Sequence, residues 1–148
     1  MSSDTGDLLV GTMLGGYRVE LKLGTGATGV VFRARRPDAE HDVALKVLHD
    51  NLGSISALKR RFEREARVLA KLEHPNIVEI SDFGVSEEGH TFIAMELLEG
   101  RTLEQVLDEA PLPPARALLV MREVLKGLAF AHERQVVHRD LKPANVFL

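Results

Sequence analysis

A segment near the end of the sequence, His138–Asn145, combines side chains that suit transfer of a phosphoryl group to a hydroxyl. Asp140 supplies a carboxylate that can accept a hydrogen bond from an attacking hydroxyl and orient it. Lys142 supplies a positive charge that can stabilise the transferring phosphate. Asn145 supplies an amide oxygen, which suits Mg²⁺ because this hard cation prefers oxygen ligands. A charged loop that has these three residue types at these positions by chance is a poor alternative. This segment is therefore the strongest chemical signal in the sequence.

A second segment with chemical potential is the glycine-rich run Gly24–Val31, which has the spacing G-x-G-x-x-G-x-V. Gly24, Gly26 and Gly29 let backbone N–H groups approach phosphate oxygens, because no Cβ stands in the way. A dinucleotide-binding fold needs a helix after such glycines, whereas a strand pattern follows them here. Taken alone, the motif also fits a glycine-rich hairpin that binds no ligand.

Lys46 interrupts the short apolar strand predicted over Val43–Leu48, where it shares a face with Ala44. A buried unpaired charge is costly, so Lys46 needs either an anionic partner or a route to water at a sheet edge. Glu65 offers the partner, because it lies on the apolar stripe of the helix predicted over Ser56–Leu72. The alternative for Glu65 is a position at the edge of that stripe.

A series of strands followed by helices must position these residues. Periodicity and turn residues predict strands over Tyr17–Leu23, Val30–Arg35, Val43–Leu48, Ile77–Phe83 and Thr91–Met95. A capping box at Thr102–Gln105 predicts a short helix, and a longer helix with an apolar stripe follows over Ala115–Glu133. Gly11, Gly15 and Gly16 discourage regular structure in residues 1–16, which predicts a flexible leader.

Composition excludes several other classes of protein. The 148 residues are 45% hydrophobic and 28% charged, which is the balance of a soluble folded domain. A net charge of -3 gives no general attraction to nucleic acid. The absence of cysteine excludes disulfides and thiolate chemistry and favours a cytoplasmic protein. No apolar run approaches the ~20 residues that a membrane-spanning helix needs, so no membrane segment is expected within this chain.

Together these segments resemble the eukaryotic-like serine/threonine protein kinase family, in which they occur in the same order, and the resemblance extends from about Tyr17 to Leu148. The segments Arg61–Ala66 and Glu73–Val78 are similar to bacterial members. The resemblance implies an α+β fold. After the leader, residues 17–98 would form an antiparallel five-stranded N-lobe with one inserted helix, and residues 99–148 the truncated start of a mainly helical C-lobe.

The resemblance also implies ATP and Mg²⁺ as cofactors and Ser or Thr of a protein substrate as acceptor. Lys46 would contact the α- and β-phosphates and pair with Glu65, Asp140 would be the catalytic base with Lys142 beside it, and Asn145 would bind Mg²⁺. The expected nucleotide-binding residues are Leu23, Gly24, Gly26, Gly29, Val31, Ala44, Lys46, Met95, Glu96, Leu98 and Phe147.

The tripeptide Asp82-Phe83-Gly84 spells the Mg²⁺ motif of that family, but it precedes the catalytic loop instead of following it. Asp82 is therefore expected to be a strand-end or turn residue. Since no such motif follows Asn145 here, the 148 residues alone are expected to be inactive. The parent kinase of which they form a part is expected to be active. The alternatives are a short product that binds ATP or a partner kinase as a regulator, or a fragment without independent function.

Overall fold

An antiparallel sheet organises the first part of the chain. The computed structural model describes residues 8–26, 28–49, 63–64 and 66–148. The strands in these residues are β1 (Met13–Leu14), β2 (Tyr17–Thr25), β3 (Gly29–Arg35), β4 (Val43–Leu48), β5 (Ile80–Val85) and β6 (Thr91–Glu96), and their order in the sheet is β1-β2-β3-β4-β6-β5. The five predicted strands are confirmed, with shifted ends, and β1 is a sixth.

Helices make up most of the regular structure that follows. They are α1 (Leu103–Glu109), α2 (Pro114–Glu133) and a single 3-10 turn at Pro143–Asn145. Helical backbone also occurs at residues 63–64 and 66–69, which belong to the helix predicted over Ser56–Leu72, and the rest of that prediction lies mainly outside the described residues. The sheet with its following helices confirms the predicted α+β class.

The described residues divide into two compact units. The first contains the sheet and consists of the residues up to Lys71 together with Glu79–Leu97. The second consists of Leu72–Val78 and Leu98–Leu148 and contains both helices. No helix in the described part of the chain is long and apolar enough to cross a membrane.

One face of the sheet carries the hydrophobic core of the first unit. Alternate residues of neighbouring strands point to the same side, so β3 and β4 contribute every second side chain to the core. Phe32 and Leu45 are cross-strand partners, and both are completely buried. The core cluster comprises Leu14, Tyr17, Val19, Val30, Phe32, Ala34, Leu45, Val47, Phe92 and Ala94.

The strand β1 corrects the expectation that no regular structure precedes Tyr17. Leu14 pairs with Tyr17 across a two-residue turn whose residues, Gly15 and Gly16, have φ values of 58° and 88°. Positive φ at both central positions is the geometry of the tight hairpin turn that matches strand twist, and glycine adopts it without steric cost. The paired glycines therefore close a hairpin, and Leu14 enters the core at 1% exposure.

The strand β2 departs from the simple alternation predicted for it. Its pairing with β3 shifts register between Val19 and Leu21 and again between Lys22 and Gly24. Each extra residue at a bulge turns the following side chains to the other face. Tyr17 and Val19 are buried as predicted, whereas Leu21 and Leu23 are exposed.

The second unit shows both predicted helix features of its sequence. The capping box is confirmed, because Thr102 Oγ1 accepts a hydrogen bond from the Gln105 N–H and Gln105 Oε1 accepts one from the Thr102 N–H. In α2 the buried positions are Gly127 and Ala131. The apolar stripe predicted for this helix is present, and its residues Leu118, Met121 and Leu125 are exposed.

Candidate functional site

Four residues expected at a nucleotide lie together on the face of the sheet opposite the core. Val31 is the cross-strand partner of Lys46, and Ala44 is the partner of Met95. Directly opposed residues of an antiparallel pair share a face, and so do Ala44 and Lys46, which are two apart on β4. Leu45 lies between them and points into the core. The register therefore gathers three apolar side chains around one lysine.

Lys46 is half-buried on this face, in the interior of a six-stranded sheet. It is therefore not at the sheet edge that the alternative interpretation required. Its expected partner Glu65 lies outside the described residues, so the pairing of Lys46 with Glu65 stays a prediction.

The glycine-rich segment closes the hairpin between β2 and β3. The Gly26 N–H donates a 2.8 Å hydrogen bond to the Gly29 carbonyl oxygen. A Cβ at Gly24 would meet no heavy atom within 4 Å, and one at Gly26 would lie 3.8 Å from the Gly29 oxygen. A Cβ at Gly29 would lie 2.2 Å from the Val47 carbonyl oxygen. Gly24 and Gly26 thus leave open backbone for a ligand, whereas Gly29 is required by the packing of β3 on β4.

We expect Gly29→Ala to lower the free energy of unfolding by about 1–3 kcal/mol, because the added methyl group forces backbone apart inside a paired sheet. Gly24→Ala is the matched control and should leave stability nearly unchanged, since open space surrounds that position. Urea unfolding of the two variants and the parent measures both changes. Equal stability of the two variants would contradict the division of roles between the glycines.

Two flanking residues of the glycine-rich segment also differ in their surroundings. Leu23 is the extra residue at the second bulge of β2 and is 47% exposed just before the glycines. His49, which directly follows β4, places its Nε2 3.1 Å from the Gly26 carbonyl oxygen. No motif in the sequence includes His49. The indication in the sequence was that His49 directly follows the predicted strand Val43–Leu48, which pairs with the strand after the glycines.

The end of β6 holds one residue expected to bind adenine through its backbone. The Glu96 N–H donates to the Glu79 carbonyl oxygen at 2.9 Å, and Glu96 Oε1 accepts a 2.8 Å bond from the Glu79 N–H. The Glu96 N–H is therefore engaged by Glu79 and does not point to a base. Leu98 belongs to the second unit, where it is half-buried.

The second unit brings Asp140, Lys142 and Asn145 together. Lys142 Nζ lies 3.1 Å from Asp140 Oδ2, and Asn145 Nδ2 donates to the Asp140 carbonyl oxygen at 2.8 Å and to Oδ2 at 3.3 Å. The hydrogen bond from Lys142 is the main reason that the pKa of Asp140 lies below its usual value, and Asn145 adds to the effect. Asp140 is therefore an ionised, exposed carboxylate near neutral pH.

The backbone of this loop is held from both sides. The Asp140 N–H donates to His138 Nδ1 at 3.2 Å, which assigns the proton of a neutral imidazole to Nε2. Arg139 between them has a φ of 64°, a left-handed conformation that costs a non-glycine residue about 1–3 kcal/mol. After the loop, exposed Phe147 forms an antiparallel bridge with Thr102. The bond between His138 and Asp140 restrains the loop internally, and the bridge of Phe147 with Thr102 connects its end to the start of α1.

Replacing Lys142 by methionine should raise the pKa of Asp140 towards the ordinary value for an aspartate, because the hydrogen bond and the positive charge are both lost. A pH titration of the Asp140 carboxyl carbon by NMR measures the change. Lys126→Met removes a lysine from the exposed surface of α2 and serves as the control. An unchanged Asp140 pKa in Lys142→Met would show that the contact does not form in solution.

The tripeptide at Asp82 has a structural role in the first unit. Asp82 Oδ2 accepts hydrogen bonds from the Tyr17 hydroxyl and from Arg36 Nη2, each at 3.1 Å, and the Arg36 guanidinium lies 4.9 Å from the Tyr17 ring centroid. Burial and the Asp82 carboxylate raise the pKa of Tyr17. Asp82 lies inside β5, so the expectation of a strand-end or turn residue is corrected, because a register shift between Ile80 and Asp82 lets the strand continue past it.

The described residues contain no group of three or more His, Cys, Asp or Glu side chains placed to hold a metal ion. Asn145 is the residue here with a suitable oxygen. Its Nδ2 is directed at Asp140, so Oδ1 lies on the other side of the amide group. A single amide oxygen next to a carboxylate fits a cation that takes most of its ligands from a phosphate and water, as Mg²⁺ does.

Comparisons with a family model and with known proteins all indicate the same family. The family model of the protein kinase domain matches residues 17–148. The serine/threonine-protein kinase pkn2 of Myxococcus xanthus is 43% identical over 134 residues, which are 90% of this chain and 16% of that protein. The serine/threonine-protein kinase PknJ of Mycobacterium tuberculosis is 44% identical over 142 residues, which are 96% of this chain and 24% of that protein. The chain therefore spans less than a third of the length of these relatives.

Among solved structures, the crystal structure of the Mycobacterium tuberculosis PknI kinase domain is similar with a TM-score of 0.83 and 37% sequence identity. The match covers 93% of this chain and 56% of that one. Since the similarity extends over sheet and helices alike, the fold expected from the motifs is confirmed.

Proposed function

This chain belongs to the protein kinase domain family, and from that membership we propose that the whole protein transfers the γ-phosphoryl group of ATP to serine or threonine hydroxyls of protein substrates. The observation that carries the proposal is the arrangement around Asp140. An ionised carboxylate lies within 3.3 Å of a lysine ammonium and an asparagine amide, on a loop whose backbone is fixed at several points.

The nucleotide would bind the face of the sheet opposite the core. Val31, Ala44 and Met95 offer the apolar surface that a purine ring needs, and the Glu96 carbonyl offers a hydrogen-bond acceptor at the end of β6. Leu23 is proposed as a further apolar contact of the base, and the roles expected of Leu98 and Phe147 stay predictions. Lys46 would neutralise charge on the α- and β-phosphates, and the open backbone at Gly24 and Gly26 would contact phosphate oxygens.

In the transfer step, the substrate hydroxyl oxygen forms a bond to the γ-phosphorus while the bond from that phosphorus to the bridging oxygen of ADP breaks. Asp140 accepts the hydrogen bond of the hydroxyl and receives its proton. The lowered pKa makes Asp140 a weak base, so it orients the hydroxyl early and takes the proton late, when the bond to phosphorus has largely formed. Lys142 would stabilise the charge on the transferring group.

Asn145 is the residue that would hold Mg²⁺, through the amide oxygen that faces away from Asp140. When bound, the ion neutralises negative charge that builds up on the phosphate oxygens during transfer. The contribution of the protein is to fix the amide by its two bonds to Asp140, so that the oxygen is presented in one orientation.

The test is phosphate incorporation by the whole protein. It is incubated with ATP labelled at the γ-phosphate, Mg²⁺ and a general protein substrate, and the labelled amino acids are identified after hydrolysis. We expect phosphoserine or phosphothreonine and no phosphotyrosine. Absence of label from protein, under conditions in which the nucleotide binds, would refute the proposed transfer.

A further inference from the structure

We propose that His49 positions the glycine-rich loop by donating a hydrogen bond from Nε2–H to the Gly26 carbonyl oxygen, and that this contact increases affinity for nucleotide phosphates. The inference rests on the proposed function, since it assigns a positioning residue to the same site. It concerns only the first unit, in which all the residues involved lie.

The contact is built by the pairing of β3 with β4. Leu48, the last residue of β4, is the cross-strand partner of Gly29. The His49 N–H continues this pairing by donating to the Thr28 carbonyl oxygen at 3.2 Å. With its backbone fixed there, the imidazole reaches across the hairpin to Gly26, 23 residues earlier in the chain, at 3.1 Å.

Gly26 is thereby held at both of its backbone groups. Its N–H donates to the Gly29 carbonyl oxygen at 2.8 Å, and its carbonyl oxygen faces His49. A peptide group is planar, so fixing the carbonyl fixes the orientation of the whole group at the part of the loop proposed to meet phosphate. A glycine without such restraint samples more backbone conformations than any other residue. The histidine therefore removes conformational freedom before a ligand arrives, which lowers the entropic cost of binding.

The contact requires a hydrogen-bond donor on the side chain, but it does not require a positive charge. A carbonyl oxygen only accepts, so Nε2 must carry hydrogen, which is true of one neutral tautomer and of the imidazolium. Glutamine places an amide donor at nearly the same distance from the backbone as Nε2, and leucine fills similar space without a donor. These two replacements separate the hydrogen bond from packing and from the charge of an imidazolium near phosphate.

The experiment compares the whole protein with its His49→Leu and His49→Gln variants. We expect His49→Leu to raise the KM for ATP and the Kd for ADP about 3- to 10-fold, the effect of one exposed hydrogen bond, with kcat changed less than about twofold. His49→Gln should restore both constants to within about twofold of the parent. His41→Leu removes another exposed histidine from the same unit and should change neither constant.

A second measurement does not depend on nucleotide. Hydrogen exchange of the Gly26 amide, followed by NMR without ligand, should be faster in His49→Leu than in the parent and restored in His49→Gln. If the parent binds nucleotide and His49→Leu binds equally tightly, or if glutamine behaves as leucine does, the inference is overturned while the proposed function stands. If the parent binds no nucleotide, the proposed function fails, and unchanged Gly26 exchange in His49→Leu would overturn the positioning role as well.

Discussion

Replacing Asp140 by asparagine in the whole protein is expected to lower kcat for phosphoryl transfer about 10³-fold, because the variant keeps the shape of the side chain but loses the proton acceptor. The pKa of Asp140 is held below its usual value by Lys142, so the parent carries the required carboxylate throughout the neutral range. The KM for ATP should stay within about twofold, since the proposed partner of Asp140 in the ground state is the acceptor hydroxyl and not the nucleotide.

Steady-state kinetics with a fixed protein substrate would measure this effect. Asp108→Asn is a matched control, because Asp108 is an exposed aspartate on α1 and should leave kcat unchanged. The thermal stability of Asp140→Asn should be compared with that of the parent, so that a loss of fold is not mistaken for a loss of catalysis. A folded Asp140→Asn variant with more than about a tenth of the parent kcat would contradict the role assigned to this carboxylate.

The second large effect is expected at Lys46. Its replacement by methionine should lower kcat/KM for ATP on the order of 100-fold, because the positive charge proposed to face the phosphates is lost while the length of the side chain is kept. Lys46→Arg should recover little of the loss, since a planar guanidinium on a longer side chain does not fit a position framed by Val31 and Ile93 on the neighbouring strands.

The matched control for Lys46 is Lys126→Met, which removes an exposed lysine that pairs with Glu123 on α2. ATP binding to the folded variants, measured by calorimetry alongside kinetics, separates a loss of affinity from a loss of turnover. Full activity of Lys46→Met would contradict the placement of nucleotide phosphates on this face of the sheet.

The strands, and the sheet face on which four of the candidate site residues lie, could largely be predicted from the sequence because strand alternation reports on the same geometry. The face shared by Ala44 and Lys46 followed from their separation of two residues, and the register with Val31 and Met95 agrees with it. The steric need for glycine at Gly29, which Gly24 and Gly26 do not share, could not be predicted. It depends on the distance to the Val47 carbonyl oxygen, which only the sheet determines.

The structure also differs from the sequence-based expectation where the same residue type is compatible with two local structures. In the sequence, Gly15 and Gly16 predict an interruption of regular structure, although paired glycines also close tight hairpins, and the burial of Leu14 in the core favours the hairpin. The exposure of Leu21 and Leu23 depends on two β-bulges that no local sequence pattern predicts. The position of Glu65 relative to Lys46 remains a prediction, because Glu65 lies outside the described residues.

The contact of Tyr17 with Asp82 has a consequence for the order in which the first unit assembles. The two residues are 65 positions apart in the chain, and their strands are not neighbours in the sheet. Hairpins between β2, β3 and β4 close short loops, whereas this contact requires β5 and β6 to have joined already. We expect Tyr17→Phe to speed unfolding with little effect on the folding rate, a φ-value near zero in stopped-flow kinetics. A φ-value near one would instead place this bond in the folding nucleus.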